Sequence, residues 1–228
     1  MVEFLFLDLD DTILDFHKAE GIAIRKTIAF FGVDPTDAIC ARYSEINKAH
    51  WEMLERKELT REQVVVQRFA KLFAELGVAV DAAECASRYE ENLSIGHYFL
   101  PNALETLEAL SKKYRLFLAS NGTARVQAGR LKSANISHYF EKIFVSQEIG
   151  ANKPSMEYFS RCFAQIPDLS KEKTMMVGDS LTSDILGGIN AGIMTCWVNP
   201  DHKPGRPDIR PDCEIEYFYQ LPALLEGL

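Results

Sequence analysis

Short apolar runs of strand length recur along the chain, and most are separated by stretches with the spacing of amphipathic helices. The runs are Phe4 to Leu7, Leu116 to Ala119, Ile143 to Val145, Thr174 to Val177 and Thr195 to Val198. Between the later ones, Leu104, Leu107 and Leu110 share one helical face, Met156, Phe159 and Phe163 a second, and Ile185 and Ile189 a third that stops near Gly192. Strands alternating with helices predict right-handed βαβ units, and hence an α/β fold: a Rossmann-like, three-layer core with a parallel sheet covered on both faces. Glu214 to Glu216 is expected as a short edge strand beyond a proline-rich loop from Pro200 to Pro211, with Leu221, Leu224 and Leu225 on a final helix.

The alternation fails between the first and second runs, where helical periodicity persists without a strand. Ala19, Ile22, Ala23, Lys26, Thr27 and Phe30 suggest a first helix, and Ile39, Tyr43, Ile46, His50, Trp51 and Leu54 a long second one. A third starts at Thr60, whose spacing to Gln63 is that of a capping box, and ends at Gly77; a fourth spans about Ala82 to Leu93. The expected organisation is a core of residues 1–15 and 95–228 with an inserted four-helix-bundle cap of residues 16–94, the chain crossing near Asp15 and Gly96.

Bulk properties narrow the setting. A net charge of −8 over 228 residues disfavours binding to nucleic acid polymers or anionic membranes. No window is apolar enough to span a bilayer, and no signal peptide is evident, so a cytoplasmic protein is expected, monomeric or weakly dimeric. Cys40, Cys85, Cys162, Cys196 and Cys213 are widely spaced, which predicts reduced, mostly buried thiols.

The exits of the first four strand runs are chemically loaded. Phe4 to Leu7 runs into Asp8-Leu9-Asp10-Asp11-Thr12, three acids that need a compensating charge, and oxygen-only ligands point to Mg²⁺. The second strand exits into Ser120-Asn121-Gly122-Thr123, where a hydroxyl and backbone N–H groups at a helix start suit phosphate. The third leads to Lys153-Pro154 and the fourth to Gly178-Asp179-Ser180, with Asp184 beyond. In a parallel sheet these ends face one crevice, so Asp8, Asp10, Ser120, Lys153 and Asp179 should converge. An aspartate can attack phosphorus, a cation can bridge it to the phosphate, and Lys153, Ser120 and the N–H groups near Asn121 and Gly122 can hold the phosphoryl oxygens. Asp10 is the candidate acid for the leaving alkoxide.

These four ordered signatures resemble those of the haloacid dehalogenase superfamily. The resemblance implies Asp8 as nucleophile, Asp10 as general acid and base, and Mg²⁺ held by Asp8, the Asp10 backbone carbonyl and Asp179. Asp184 would orient the metal shell and Thr12 would support the first loop. Dehalogenases of the superfamily attack carbon without Mg²⁺ and lack an acid two residues after the nucleophile; Asp10 therefore points to a phosphomonoester hydrolase. Asn47-Lys48-Ala49-His50-Trp51, the stretch from Asp184 to Gly192, and Thr195-Cys196-Trp197 are similar to the pyrimidine 5′-nucleotidase branch. The expected partner is a small phosphoester, foremost a nucleoside 5′-monophosphate. Alternatives are a phosphatase of sugar phosphates or other small phosphoesters, a family phosphomutase, and a receiver-like phosphorylated signalling module, although a bundle over the site gives the last no evident use. Phe16, His17, Asn47, His50, Trp51 and His97 are candidates for substrate choice, with His50 and Trp51 expected to pack inside the bundle.

Overall fold

The computed structural model describes residues 1–228. Six strands, β1 (Phe4–Leu7), β2 (Arg115–Ser120), β3 (Lys142–Val145), β4 (Thr174–Gly178), β5 (Met194–Val198) and β6 (Cys213–Ile215), form one parallel sheet in the order β3-β2-β1-β4-β5-β6. Ten helices accompany them: α1 (Phe16–Phe30), α2 (Asp37–Glu55), α3 (Arg61–Leu76), α4 (Ala82–Ser94), α5 (Ala103–Ser111), α6 (Ala124–Ala134), α7 (Ser146–Ile149), α8 (Met156–Phe163), α9 (Leu186–Ala191) and α10 (Leu221–Glu226).

Side chains of a strand alternate between the faces of the sheet, and β1 shows why both faces are covered. Leu5 and Leu7 join Leu116, Leu118, Met175 and Val177 in a core closed by α5 and α10, whereas Phe4 and Phe6 join Phe117, Phe144 and Met176 in a second core closed by α8. The three expected layers are therefore present.

β1 lies between β2 and β4, and Leu7 is level with both Leu118 and Val177. The chain builds outward from β1 on one side and then crosses to the other, so the strand order switches at β1. Crevices at such points are where α/β sheets bind ligands.

Helices α1 to α4 enclose their own apolar core, including Ala23, Ile28, Tyr43, Phe69, Leu72 and Tyr89. The capping box at Thr60 and Gln63 forms as expected, and Gly77 ends α3 with a left-handed φ of 66°. Two periodicities shift. In α1 the buried face runs through Ala19, Ala23, Ile24, Thr27 and Ile28, leaving Phe30 exposed with the Arg88 guanidinium over its ring. Ile189 on α9 is 40% exposed while Ile185 is buried, the two being separated by the end of a π turn at Leu181–Ile185, whose wider pitch breaks the α-helical spacing assumed for the pair. The cap also leans on the core: Val126 of α6 joins the bundle's apolar cluster. Where the chain returns, a Cβ on Gly96 would come within 2.9 Å of the Ala19 Cβ, so that crossing can pass against α1 only as glycine.

Candidate active site

The Asp8 N–H donates to the Val177 carbonyl at 2.9 Å, which extends the ladder one residue past β1 and fixes the carboxylate at the sheet edge. Lys153 reaches the same point from the loop after α7. It is 1% exposed, and its Nζ donates to Asp8 Oδ1 at 2.7 Å, Asp184 Oδ1 at 2.6 Å and the Ala119 carbonyl at 2.5 Å. An ammonium has three donors, and all three are used. The loop is held by Asn121, whose side chain accepts from the Lys153 N–H at 2.9 Å and donates to its carbonyl at 2.9 Å. Asn121 is thus a clamp on Lys153, and only its backbone N–H, which has no protein acceptor, faces the phosphate role.

Ser120 closes β2. Its Oγ accepts from the Gly122 N–H at 3.1 Å and from Gln127 Nε2 at 2.7 Å, which leaves its own hydrogen to donate. Gly122 therefore uses its N–H inside the turn. Asp184 sits in the π turn after β4, where its Oδ2 accepts from the Ser180 N–H at 3.1 Å. A Cβ on Gly178 would lie 2.2 Å from that carboxylate, so Gly178 is what allows Asp184 to fold back over the strand end. Asp179 is held through its backbone, the carbonyl accepting from Trp197 Nε1 at 2.8 Å. Thr12 is buried and its hydroxyl has no partner, so its place in the first loop is one of packing.

The electrostatics are those of carboxylates short of positive charge. Burial pushes the Asp8 carboxyl up to about 8, Lys153 opposing and Asp184 and Asp10 adding to the rise. Burial and the neighbouring Asp184 and Asp8 hold Asp179 well above the usual carboxylate range. Burial works against the Lys153 charge, but Asp184 and Asp8 outweigh it and raise its pKa. Oxygens of Asp8, Asp179 and Asp184 lie within 4.8 Å of one another. Hard oxygen donors, clustered with one ammonium among them, fit a hard dication such as Mg²⁺. Asp184, expected behind the metal shell, presents an oxygen to this same cluster while also bonded to Lys153.

Asp10 points elsewhere. Its carboxylate pairs with Arg130 and accepts from Gln127 Nε2 at 2.7 Å, and Arg130 Nε donates to the Gly96 carbonyl at 3.0 Å. Sequence reading missed both partners, although Gln127 and Arg130 sit three apart, the one-face spacing of a helix, directly after the Ser120 turn. It also missed Arg61, the first residue of α3. Arg61 Nη2 donates to the Asn121 carbonyl at 3.0 Å, Ser146 Oγ at 2.6 Å and Asn152 Oδ1 at 2.7 Å, joining the cap to both core loops.

Over these groups lies a cavity of about 230 Å³, lined by Asp8, Lys153 and Asp179 below and by Phe16, Trp51, Leu54, Arg68 and Glu90 from the cap. His50 is buried in the bundle as expected, whereas Trp51 borders the cavity. His17 is exposed beside Asp11, and His97 bonds to Ser133 at the surface.

A parallel sheet with a buried aspartate, a buried lysine and an acid-rich strand end under a helical cap defines a Rossmann-like hydrolase. The haloacid dehalogenase-like hydrolase model matches residues 5–198, and the chain belongs to that family. It is 39% identical to the putative HAD-hydrolase YfnB of Bacillus subtilis, over 97% of this chain and 94% of that one. It is 38% identical to the pyrimidine 5′-nucleotidase PynA of Streptococcus pneumoniae, over 96% and 92% of the two chains. The crystal structure of YfnB bound to magnesium superposes with a TM-score of 0.94, covering 98% of each chain at 38% identity. L-2-haloacid dehalogenase from Xanthobacter autotrophicus, at 14% identity and a TM-score of 0.81, shares the fold. No helix is long and apolar enough to cross a membrane.

Proposed function

We propose that the chain is a Mg²⁺-dependent phosphomonoester hydrolase of nucleoside 5′-monophosphates. The core would comprise residues 1–15 and 95–228, and the cap residues 16–94. The observation that carries this reading is Lys153 buried between Asp8 and Asp184 at the switch point of the sheet, beside the Ser120 turn. The nucleotide assignment is supported by the relatives named pyrimidine 5′-nucleotidase.

In this reading Asp8 attacks phosphorus and the ester oxygen departs, leaving an aspartyl-phosphate. The Ser120 hydroxyl and the Asn121 N–H hold the phosphoryl oxygens and meet the charge that grows on them, and Lys153 joins them by exchanging one of its three present acceptors for a phosphoryl oxygen. Asp10 gives a proton to the leaving alkoxide and then takes one from the water that attacks phosphorus and restores Asp8. Mg²⁺, held by Asp8, Asp179 and the Asp10 carbonyl, would neutralise the repulsion between carboxylate and phosphate. Because Asp10 is tied to Arg130 and Gln127 in the state described here, it must turn from them to reach the ester oxygen. The cap excludes bulk water meanwhile.

Phosphate release from uridine monophosphate tests the reading. Asp8→Asn, or chelation of Mg²⁺, should abolish turnover, and full activity in either case would overturn it.

A further inference from the structure

The cap contains a buried polar chain that phosphoryl transfer does not use. Glu20 on α1 accepts from Ser44 Oγ at 2.5 Å and Asn47 Nδ2 at 2.7 Å. Asn47 Oδ1 in turn accepts from Trp51 Nε1 at 3.0 Å and Arg68 Nη1 at 2.7 Å. Arg68 is 3% exposed, with its guanidinium 4.8 Å from the Tyr89 ring centre and 5.2 Å from that of Phe69, and its Nε donates to the Val65 carbonyl at 3.2 Å.

A bundle gains little from such a group, since apolar replacements of buried ion pairs are often neutral or stabilising. What the network does is fix two side chains in orientation. The shared acceptor Asn47 sets both the plane of the Trp51 indole and the direction of the Arg68 fork, and both border the cavity that holds Asp8 and Lys153. With Nη1 and Nε engaged, Arg68 Nη2 is left without a protein acceptor. Phe16, Leu54 and Leu93 line the same cavity, apolar surface suited to a flat ring. The cavity thus has a phosphate end on the core and, on the cap, an aromatic wall with an aimed cationic donor. Glu90 is the only other charged cap group besides Glu55 on that lining, and neither can serve as a donor while ionised.

We propose that Arg68 selects the base, its Nη2 donating to a ring carbonyl of a pyrimidine nucleotide that lies along the Trp51 indole. A guanidinium N–H donates well to a carbonyl oxygen, which every common pyrimidine base carries on its ring and adenine lacks. This rests on the nucleotide reading above and names the residue behind its specificity.

The test compares kcat and KM for uridine monophosphate, adenosine monophosphate and ribose 5-phosphate in the wild type, Arg68→Lys and Arg68→Met, with Mg²⁺ present. The wild type should prefer uridine monophosphate. Arg68→Met should raise KM for it about tenfold or more, the scale of one lost hydrogen bond to a charged donor, with kcat little changed. Rates on ribose 5-phosphate, which lacks a base, should stay near wild type, a result that a merely structural role for Arg68 would not give. Uridine monophosphate carrying sulfur in place of either ring oxygen tests the same contact in the wild type, whether or not the variants fold, and at least one analogue should show a similar rise in KM. If the wild type cleaves ribose 5-phosphate as well as uridine monophosphate, the nucleotide reading falls and this assignment with it. If the wild type prefers uridine monophosphate, but Arg68→Met keeps that preference or neither analogue loses affinity, the assignment alone is overturned.

Discussion

At the sheet edge, Asp8, Ser120 and Asp179 are placed by backbone: Asp8 and Asp179 directly follow their strands, Ser120 ends its own, and the parallel ladder brings the strand ends level. In the cap, Glu20, Asn47 and Arg68 are placed by one another, from α1, α2 and α3, with no ladder between them. The difference bears on tolerance to change. A side chain can vary at the sheet edge without moving the scaffold under it, whereas the cap network fails as a unit, because each member orients the next. The edge fits invariant chemistry on a phosphate; the cap fits selection of what the phosphate is attached to.

The comparison breaks most sharply at the core. Lys153→Met should leave Asp8 and Asp184 buried without their ammonium, destabilising the chain by about 3–5 kcal/mol and removing most activity. A denaturant titration in the absence of Mg²⁺ would read this, and wild-type stability would contradict it. Asp10→Asn should lower kcat by about a hundredfold to ten-thousandfold on an alkyl phosphate, but far less on p-nitrophenyl phosphate, whose leaving group needs no proton. Equal losses on both would remove the acid role and leave Asp10 as a partner of Arg130.

How much of this was legible in sequence follows the same division. Asp8, Ser120 and Asp179 could be placed because a strand's end is visible as the end of an apolar run, and a parallel sheet brings such ends together whatever lies between; Lys153, beyond α7, was read from its Lys-Pro step in the loop that follows the third strand. The core layers were legible because strand-length apolar runs alternate with helical patterns, which implies a parallel sheet covered on both faces; that Phe4 and Phe6 face one core and Leu5 and Leu7 the other is seen only in the fold. Arg61, Arg68, Gln127 and Arg130 were not, since each is a polar residue inside a helical pattern whose partners lie far off in the chain. Trp51 shows the limit most plainly. Its place on an apolar stripe pointed to the bundle interior, and only the fit of α2 over the core turns that stripe's edge towards the cavity.

Arg61 joins the two regions, and its removal should separate their effects. Arg61→Met takes away three bonds from a charged donor to the Asn121, Ser146 and Asn152 acceptors. KM should rise roughly tenfold for every phosphoester tested, base or no base, because cap closure over the phosphate turn is weakened. A loss confined to nucleotides would place Arg61 with Arg68 instead.

The smallest effect is one of pH on the cap alone. Burial raises the Glu20 pKa, with Ser44 and Asn47 opposing. The folded chain then keeps this proton to higher pH than the unfolded chain does. The stabilisation is complete below the ordinary glutamate pKa and is lost as pH rises through the raised value. Glu20→Gln should therefore flatten the fall in melting temperature just above the usual carboxylate range. Parallel profiles for variant and wild type would mean that Glu20 does not titrate there.

The central claim is that phosphate passes through Asp8. Quenching the enzyme in acid during turnover of uridine monophosphate with Mg²⁺, reducing any acyl phosphate with borohydride and sequencing the peptides by mass would locate it. The account predicts a reduced carboxyl at position 8 and at no other aspartate. Unreduced Asp8 under conditions where phosphate release continues, or reduction at Asp10 or Asp179 instead, would contradict it.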